Sequence, residues 1–270
     1  MAVAQVQNFT RAAQRLRITQ SALSQRIMQL ESELGAALFI RDRAGPRLTE
    51  TGELLLRASR AQLAIEEEVL ARIRDSSARA TLAGTVRIGG FSSVLRSIVL
   101  PALAPLCREN PDIHLNVATR ELRQLPDLLK RGEIDYAVLD RPLDQEGIES
   151  ILIGTERNVL VQARNYSGPE NLYLDHDEED ETTFRYLKQL SKPPKQIRRR
   201  FLDDVYGLLD AARLGLGRAV LPTHLIQAPL EILHPSIRLD IPVYLHFYAQ
   251  AYYPRLHDAV VKALRKNDLA

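Results

Sequence analysis

The chain has 270 residues, 45% of them hydrophobic, with 36 basic against 34 acidic side chains and a net charge of +2. That length suits two units of about 100–200 residues or one large one, and the hydrophobic content excludes a disordered chain. The single cysteine, Cys107, excludes a disulfide framework and fits a reducing compartment; with no membrane-length apolar stretch and no signal-peptide core, a cytoplasmic protein without a membrane partner is expected.

The charge is unevenly spread. Within residues 1–49, seven arginines (Arg11, Arg15, Arg17, Arg26, Arg41, Arg43 and Arg47) face three acids (Glu31, Glu33 and Asp42), a net +4 that leaves −2 for the remainder. A basic head on a slightly acidic body suits a small nucleic-acid reader joined to something else.

In the head, Thr10 is expected to cap a short helix through Leu16, with Ala12, Ala13 and Leu16 on its apolar side. After a tight connection, Thr19 caps a second helix to about Leu34, on which Leu23, Ile27, Leu30 and Leu34 form one buried stripe. The other face opens with Gln20, Ser21, Ser24, Gln25 and Met28. Short polar and amide side chains at a helix N-terminus let the backbone approach a major groove, and Gln pairs bidentately with adenine. Spacing alone also fits a helical hairpin with a solvated surface. Residues 38–49 read as a β-hairpin turned at Ala44-Gly45-Pro46. Its Arg41, Arg43 and Arg47 stand where a wing meets phosphates or a minor groove.

From Thr51 to Ser77, Leu54, Ala58, Ala61, Ile65, Val69 and Ile73 recur at helical spacing. Such a seam wants a partner helix; the alternative is a helix packed on its own domain. From Thr85 onward strand and helix alternate, as in parallel α/β architecture. The expected strands are 85–90, 114–119, 136–140, 172–176 and 218–221. Helices are expected from Ser92 to about Glu109, from Leu122 to Arg131, and from Asp203 and Asp204 onward.

The head, FTRAAQRLRITQSALSQRIMQLESELGAALFIRDRAGPRLTETG, resembles that of LysR-type transcription regulators along its whole length. It departs in two places: family members carry a longer first helix where residues 2–7 stand here, and often a Pro where Ser21 stands. The resemblance implies a winged helix-turn-helix over residues 1–50. Its helix from Ser21, preceded by Thr19 and Gln20, would read double-stranded DNA. It also implies a linker helix at 51–78 that pairs with its twin in a homodimer, dimers joining into tetramers, a hinge at 79–84, and RNA polymerase as a further partner. The phrase LLKRGEIDYAVLD resembles the family's effector domain, which shares its two-lobed α/β fold with periplasmic solute-binding proteins. That domain would span 85–270, with lobe one at 85–157 and 242–270 and lobe two at 158–241. The runs LDHDEE, TQSALSQRI and VLPALAPL resemble the arginine/lysine-responsive, LysG/ArgP-like branch, whose effectors are cationic amino acids.

In such a fold a small-molecule effector sits between the lobes, at the carboxyl ends of strands. Ser92 and Ser93, at a helix start, suit a carboxylate. Thr119 and Asp140 end strands, Asp175 and His176 end another, and Asp203 precedes a helix. The acidic residues 177–181 fit a solvated loop with acids near a helix N-terminus, and Arg198, Arg199 and Arg200 fit a surface or a dimer contact. His114, His224, His234, His246 and His257 lack metal-ligand spacing, Cys107 reads as a core thiol, and no GxSxG, Walker or GxGxxG motif occurs. The expectation is a sequence-specific transcription regulator, not an enzyme, with no cofactor or metal and a small-molecule effector. The alternative is a carrier of the same two-lobed fold without a DNA function.

Overall fold

The computed structural model describes residues 1–42, 45–74 and 82–265. Arg43, the end of the expected linker (75–78) and the first part of the expected hinge (79–81) lie outside the described residues, as does the side chain of Arg41.

The head comprises α1 (Ala2–Val6), α2 (Phe9–Arg15), α3 (Gln20–Leu34), β1 (Phe39–Asp42) and β2 (Gly45–Leu48). Thr19 caps α3 as expected, its Oγ1 accepting the Ala22 N–H at 3.2 Å. Thr10 does not cap α2. Asn8, extended and one residue before Phe9, accepts the Arg11 N–H at 3.0 Å and starts the helix earlier; Asn is among the strongest N-cap residues. Val3, Ala12, Ala13 and Leu23 form the core, with Ile27 and Phe39 packed against it. The expected stripe is shorter than its sequence pattern. Leu16 and Leu34, both at helix ends beyond this small core, are each 48% exposed. Glu31 ties α3 to the hairpin, accepting the N–H groups of Leu38 and Phe39 at 2.7 and 3.1 Å.

The linker α4 (Glu50–Arg74) starts against the hairpin, where a Cβ on Gly52 would stand 2.2 Å from the Leu38 carbonyl oxygen. One flank lies on the body. The Arg57 guanidinium sits 4.1 Å from the centre of the Tyr248 ring and donates to the Lys130 carbonyl, and Glu68 accepts the Arg255 N–H at 2.9 Å. The other flank is open, with Leu54, Val69 and Ile73 at 60, 48 and 71% exposure.

The body opens with β3 (Gly84–Gly90), then α5 (Ser92–Val94), a π-helical turn (Leu95–Val99) and α6 (Leu100–Glu109) in one helical run. There follow β4 (Ile113–Thr119), a 3-10 turn (Leu122–Gln124), α7 (Leu125–Lys130) and β5 (Tyr136–Leu139). The second half contains β6 (Ile148–Ala163), β7 (Leu172–Asp175), α8 (Thr182–Leu187), β8 (Arg198–Phe201) and α9 (Val205–Arg213). The chain ends with β9 (Arg218–Pro222), β10 (Leu230–Leu233), β11 (Leu239–Tyr248) and α10 (Arg255–Arg265).

The strands form one curled sheet in the order β4-β3-β5-β11-β6-β9-β7-β8, with β10 on β6. Its two ends are parallel, β3 with β4 and β5, and β7 with β8 and β9. All four residues of β5 and of β7 are buried, which is why these strands read as continuous apolar runs rather than alternating ones. The long strands β6 and β11 pair antiparallel from Leu239–Asn158 to Tyr248–Ile148, with a register shift between Val243 and Tyr244. β11 also pairs with β5, and β6 with β9, so this strand pair serves both ends of the sheet. The expected lobe limits at 157/158 and 241/242 fall inside these two strands. One core gathers Ile88, Leu95, Ile98 and Val138, and another gathers Val159, Leu174, Leu208 and Leu221. No helix among the described residues is long and apolar enough to cross a membrane.

Candidate functional site

On the head, the face of α3 opposite Leu23 is open. Thr19, Gln20, Ser21, Gln25 and Met28 are exposed and Ser24 is half-buried. Gln20 Nε2 donates to Ser24 Oγ at 3.1 Å, and the hydroxyls of Thr19 and Ser21 lie 3.1 Å apart. These contacts lie along the helix surface, so nothing among the described residues covers the polar face. Arg47 is exposed on β2, and Arg41 belongs to β1.

In the body, a cavity of about 530 Å³ lies between the two ends of the sheet. All seven residues expected around a ligand line it: Ser92, Ser93, Thr119, Asp140, Asp175, His176 and Asp203. Topology brings them together. Ser92 and Ser93 follow β3, Thr119 closes β4, Asp140 follows β5, Asp175 closes β7, and Asp203 precedes α9. Nine carboxylates line this cleft against four guanidiniums, so its field favours a cation. Two contacts span it: Arg123 pairs with Glu179 at 3.5 Å, and the Arg96 guanidinium lies 4.2 Å from the centre of the Tyr206 ring. Asp204 caps α9, accepting the N–H groups of Tyr206 and Gly207 at 2.7 and 3.1 Å.

Two sequence expectations change on this geometry. Asp175 is not an available carboxylate. It is 1% exposed and accepts from Thr183 Oγ1 and from Arg199 Nε. Burial pushes its carboxyl up, while the hydrogen bonds from Thr183 and Arg199 pull it back. Arg199, in turn, is neither a surface residue nor a free dimer contact. It also donates to the carbonyls of Glu178, Asp177 and Asp180 at 3.0, 3.0 and 2.6 Å, between the rings of Phe184 and Phe201. The acidic segment lies before α8 with Glu178, Glu179 and Glu181 exposed, as expected, while Arg199 ties its backbone. Asp180 accepts the N–H groups of His176 and Thr182 at 3.1 and 2.8 Å.

Sequence reasoning passed over Glu156 and Asn158, 7 and 3% exposed at the floor of the cleft on β6. Their signal was present as three polar residues, Glu156-Arg157-Asn158, breaking an apolar strand run. Burial pushes the Glu156 carboxyl up to about 7, against hydrogen bonds from Ser93 and Asn158. Elsewhere, His246 is fully buried with Nδ1 at 2.8 Å from Ser150 Oγ, and burial pulls it down to about 4. His257 stacks on Tyr253 and lies 2.8 Å from the Tyr136 hydroxyl. Cys107 packs against the first core, with its thiol pushed up by burial. Among the described residues no His, Cys, Asp and Glu cluster could hold a metal ion.

Two family models match the chain. One, described as the LysR substrate binding domain, covers residues 79–268, and the other, described as a bacterial regulatory helix-turn-helix protein of the lysR family, covers residues 1–53. The chain is 30% identical over 246 residues to the transcriptional regulator ArgP of Cronobacter sakazakii, covering 85% of this chain and 80% of that protein. It is 35% identical over 168 residues to the regulator ShiR of Corynebacterium glutamicum, where the match spans 62% of this chain and 56% of ShiR, little more than half its length. In fold, it is similar to ArgP from Mycobacterium tuberculosis, with a TM-score of 0.79 at 22% identity over 98% of this chain and 93% of that one. It is also similar to full-length LysG from Corynebacterium glutamicum, solved with its effector arginine bound, with a TM-score of 0.71 at 24% identity over 97% of this chain and 94% of that one. The chain belongs to the LysR family.

Proposed function

We propose that this chain is a sequence-specific DNA-binding transcription regulator, acting in the cytoplasm as a homodimer or tetramer, whose activity is set by a basic amino acid held between its lobes. The observation that carries the reading is the α3 surface: Gln20, Ser21, Gln25 and Met28 stand in solvent while Leu23 anchors the opposite side. A polar, close-approach helix face of this kind suits base edges in a major groove. A carrier of the same two-lobed fold has no use for it. The open flank of α4 offers an apolar strip for a second copy, which would set two heads on two half-sites. RNA polymerase is a further partner of the bound dimer.

The ligand class follows from charge. With Asp175 matched by Arg199, eight carboxylates against four guanidiniums still favour a cation, and Ser92 supplies a hydroxyl for a carboxylate. The arginine bound in LysG agrees with this chemistry. The test is a gel shift on the DNA upstream of the chain's own coding sequence, at graded salt, with and without arginine and lysine. Salt-sensitive, sequence-selective binding that responds to one of the two is expected. Binding that ignores sequence would overturn the regulator reading. A thermal-shift screen in which neither amino acid stabilises the protein would remove the basic-ligand reading.

A further inference from the structure

Two carboxylates are buried in the cleft, and only one has its charge matched. Asp175 has Arg199 and Thr183. Among the described residues Glu156 has no ion-pair partner, and its Oε1 has no hydrogen-bond partner. Removing a carboxylate from water without a countercharge is costly, so the group keeps a proton or takes a positive charge from outside the chain. Its high carboxyl value records the same cost.

The position of Glu156 narrows what that charge is. Glu156 pairs in register with Ile241 of β11, on the strand pair common to both ends of the sheet. Ser93, at the start of α5, reaches its carboxylate. From α9 the titratable group that faces it is Tyr206, under the Arg96 guanidinium, with Asp204 capping the same helix. Because the Ser93 hydroxyl is turned to Glu156, an amino-acid carboxylate held by the Ser92 hydroxyl would lie in the same part of the cleft, and an α-amino acid carries its ammonium beside its carboxylate.

We propose that Glu156 receives the α-ammonium group of the bound amino acid. This rests on the cleft being a basic amino-acid site, and adds which nitrogen is read and by which residue. The ligand's side-chain cation then points away from Glu156, toward the rim at Asp203 and Asp204. Binding fixes Glu156 as a carboxylate and releases its proton when the free site holds one, so ligand affinity rises with pH.

The test is calorimetric titration of the full chain with arginine, with lysine, and with 5-guanidinopentanoic acid, which is arginine without its α-amino group. Wild type and Glu156→Gln are compared at pH 6, 7 and 8. The wild type is expected to prefer arginine at least about tenfold at pH 8, and to gain about tenfold in arginine affinity from pH 6 to pH 8. Glu156→Gln loses both the preference and the pH dependence. If the wild type binds arginine and its analogue equally, or if Glu156→Gln keeps the preference, Glu156 does not read the ammonium while the cleft reading stands. If neither arginine nor lysine binds the wild type at any pH, the cleft reading fails and this assignment fails with it.

Discussion

Arg199 on β8 reaches diagonally past Tyr173, its partner in register, to Asp175 at the end of β7, and with the same guanidinium ties three carbonyls of the following loop. A planar fork with several fixed donors can serve four acceptors at once, and a lysine ammonium cannot. Arg199→Ala would leave Asp175 buried and unpaired, a change that typically costs about 3–5 kcal/mol. Arg199→Lys is expected to recover only part of that loss. Urea denaturation measures the cost, and hydrogen exchange of the amides at 176–181 measures the release of the loop. Unchanged exchange in Arg199→Ala would show that the loop is held by its own turns instead.

Two buried groups set opposite limbs of the stability–pH profile. Glu156 is raised from 4.5 to about 7 in the folded chain, so its contribution is full below about pH 4.5 and is lost as pH rises through about 7. Glu156→Gln should therefore gain on the wild type by about 3 kcal/mol between pH 5 and pH 8 in urea midpoints. His246 is lowered from 6.5 to about 4, so the unfolded chain takes a proton that the folded chain refuses. Stability is lost as pH falls from 6.5 toward 4, and His246→Asn, which can still bond Ser150, should flatten that acid limb. Parallel profiles for wild type and both variants would show that neither group titrates with folding.

The cleft residues were legible because strand-to-helix junctions fix where side chains converge. Ser92, Thr119, Asp140 and Asp203 each sit at such a junction, and a parallel sheet carries all of them to one side. What the sequence could not supply was pairing across distance. Asp175 looks as available as Asp140 until β8 lies beside β7 and Arg199 arrives 24 residues later. Glu156 lies mid-strand, where no junction marks it, and its importance comes from burial that only the crossing of β6 and β11 creates. In the head, both threonines looked like caps. Thr19 kept that role, while Asn8, which lay outside the apolar pattern, took the one assigned to Thr10.

On DNA, the two kinds of contact separate. Gln20 is held toward Ser24 at 3.1 Å; if it reads a base edge as proposed, Gln20→Ala should cost about 1–3 kcal/mol on the preferred site and relax sequence discrimination. Arg47, exposed on β2, is proposed to meet phosphates. Arg47→Ala should weaken all DNA about equally and reduce the salt slope by about 1. Competition gel shifts against shuffled DNA distinguish these outcomes. Unchanged discrimination in Gln20→Ala would move the reading surface off the start of α3.

The linker helix has one flank on the body and one in solvent. Its inner flank is held on the body by Arg57 and Glu68, while Leu54, Val69 and Ile73 remain in solvent. An apolar strip along a 25-residue helix suits packing against a second helix, as in the dimer proposed above. A charge at Leu54 or Ile73 would have to be buried in such a pairing, whereas both positions are more than half exposed in the protomer. Leu54→Glu with Ile73→Glu should therefore shift sedimentation from dimer or tetramer to monomer and leave the urea midpoint of the body unchanged. The double variant should also bind a two-half-site DNA no better than a single half-site, because the two heads are no longer joined. Sedimentation of the double variant at the wild-type position would assign the strip to another occupant.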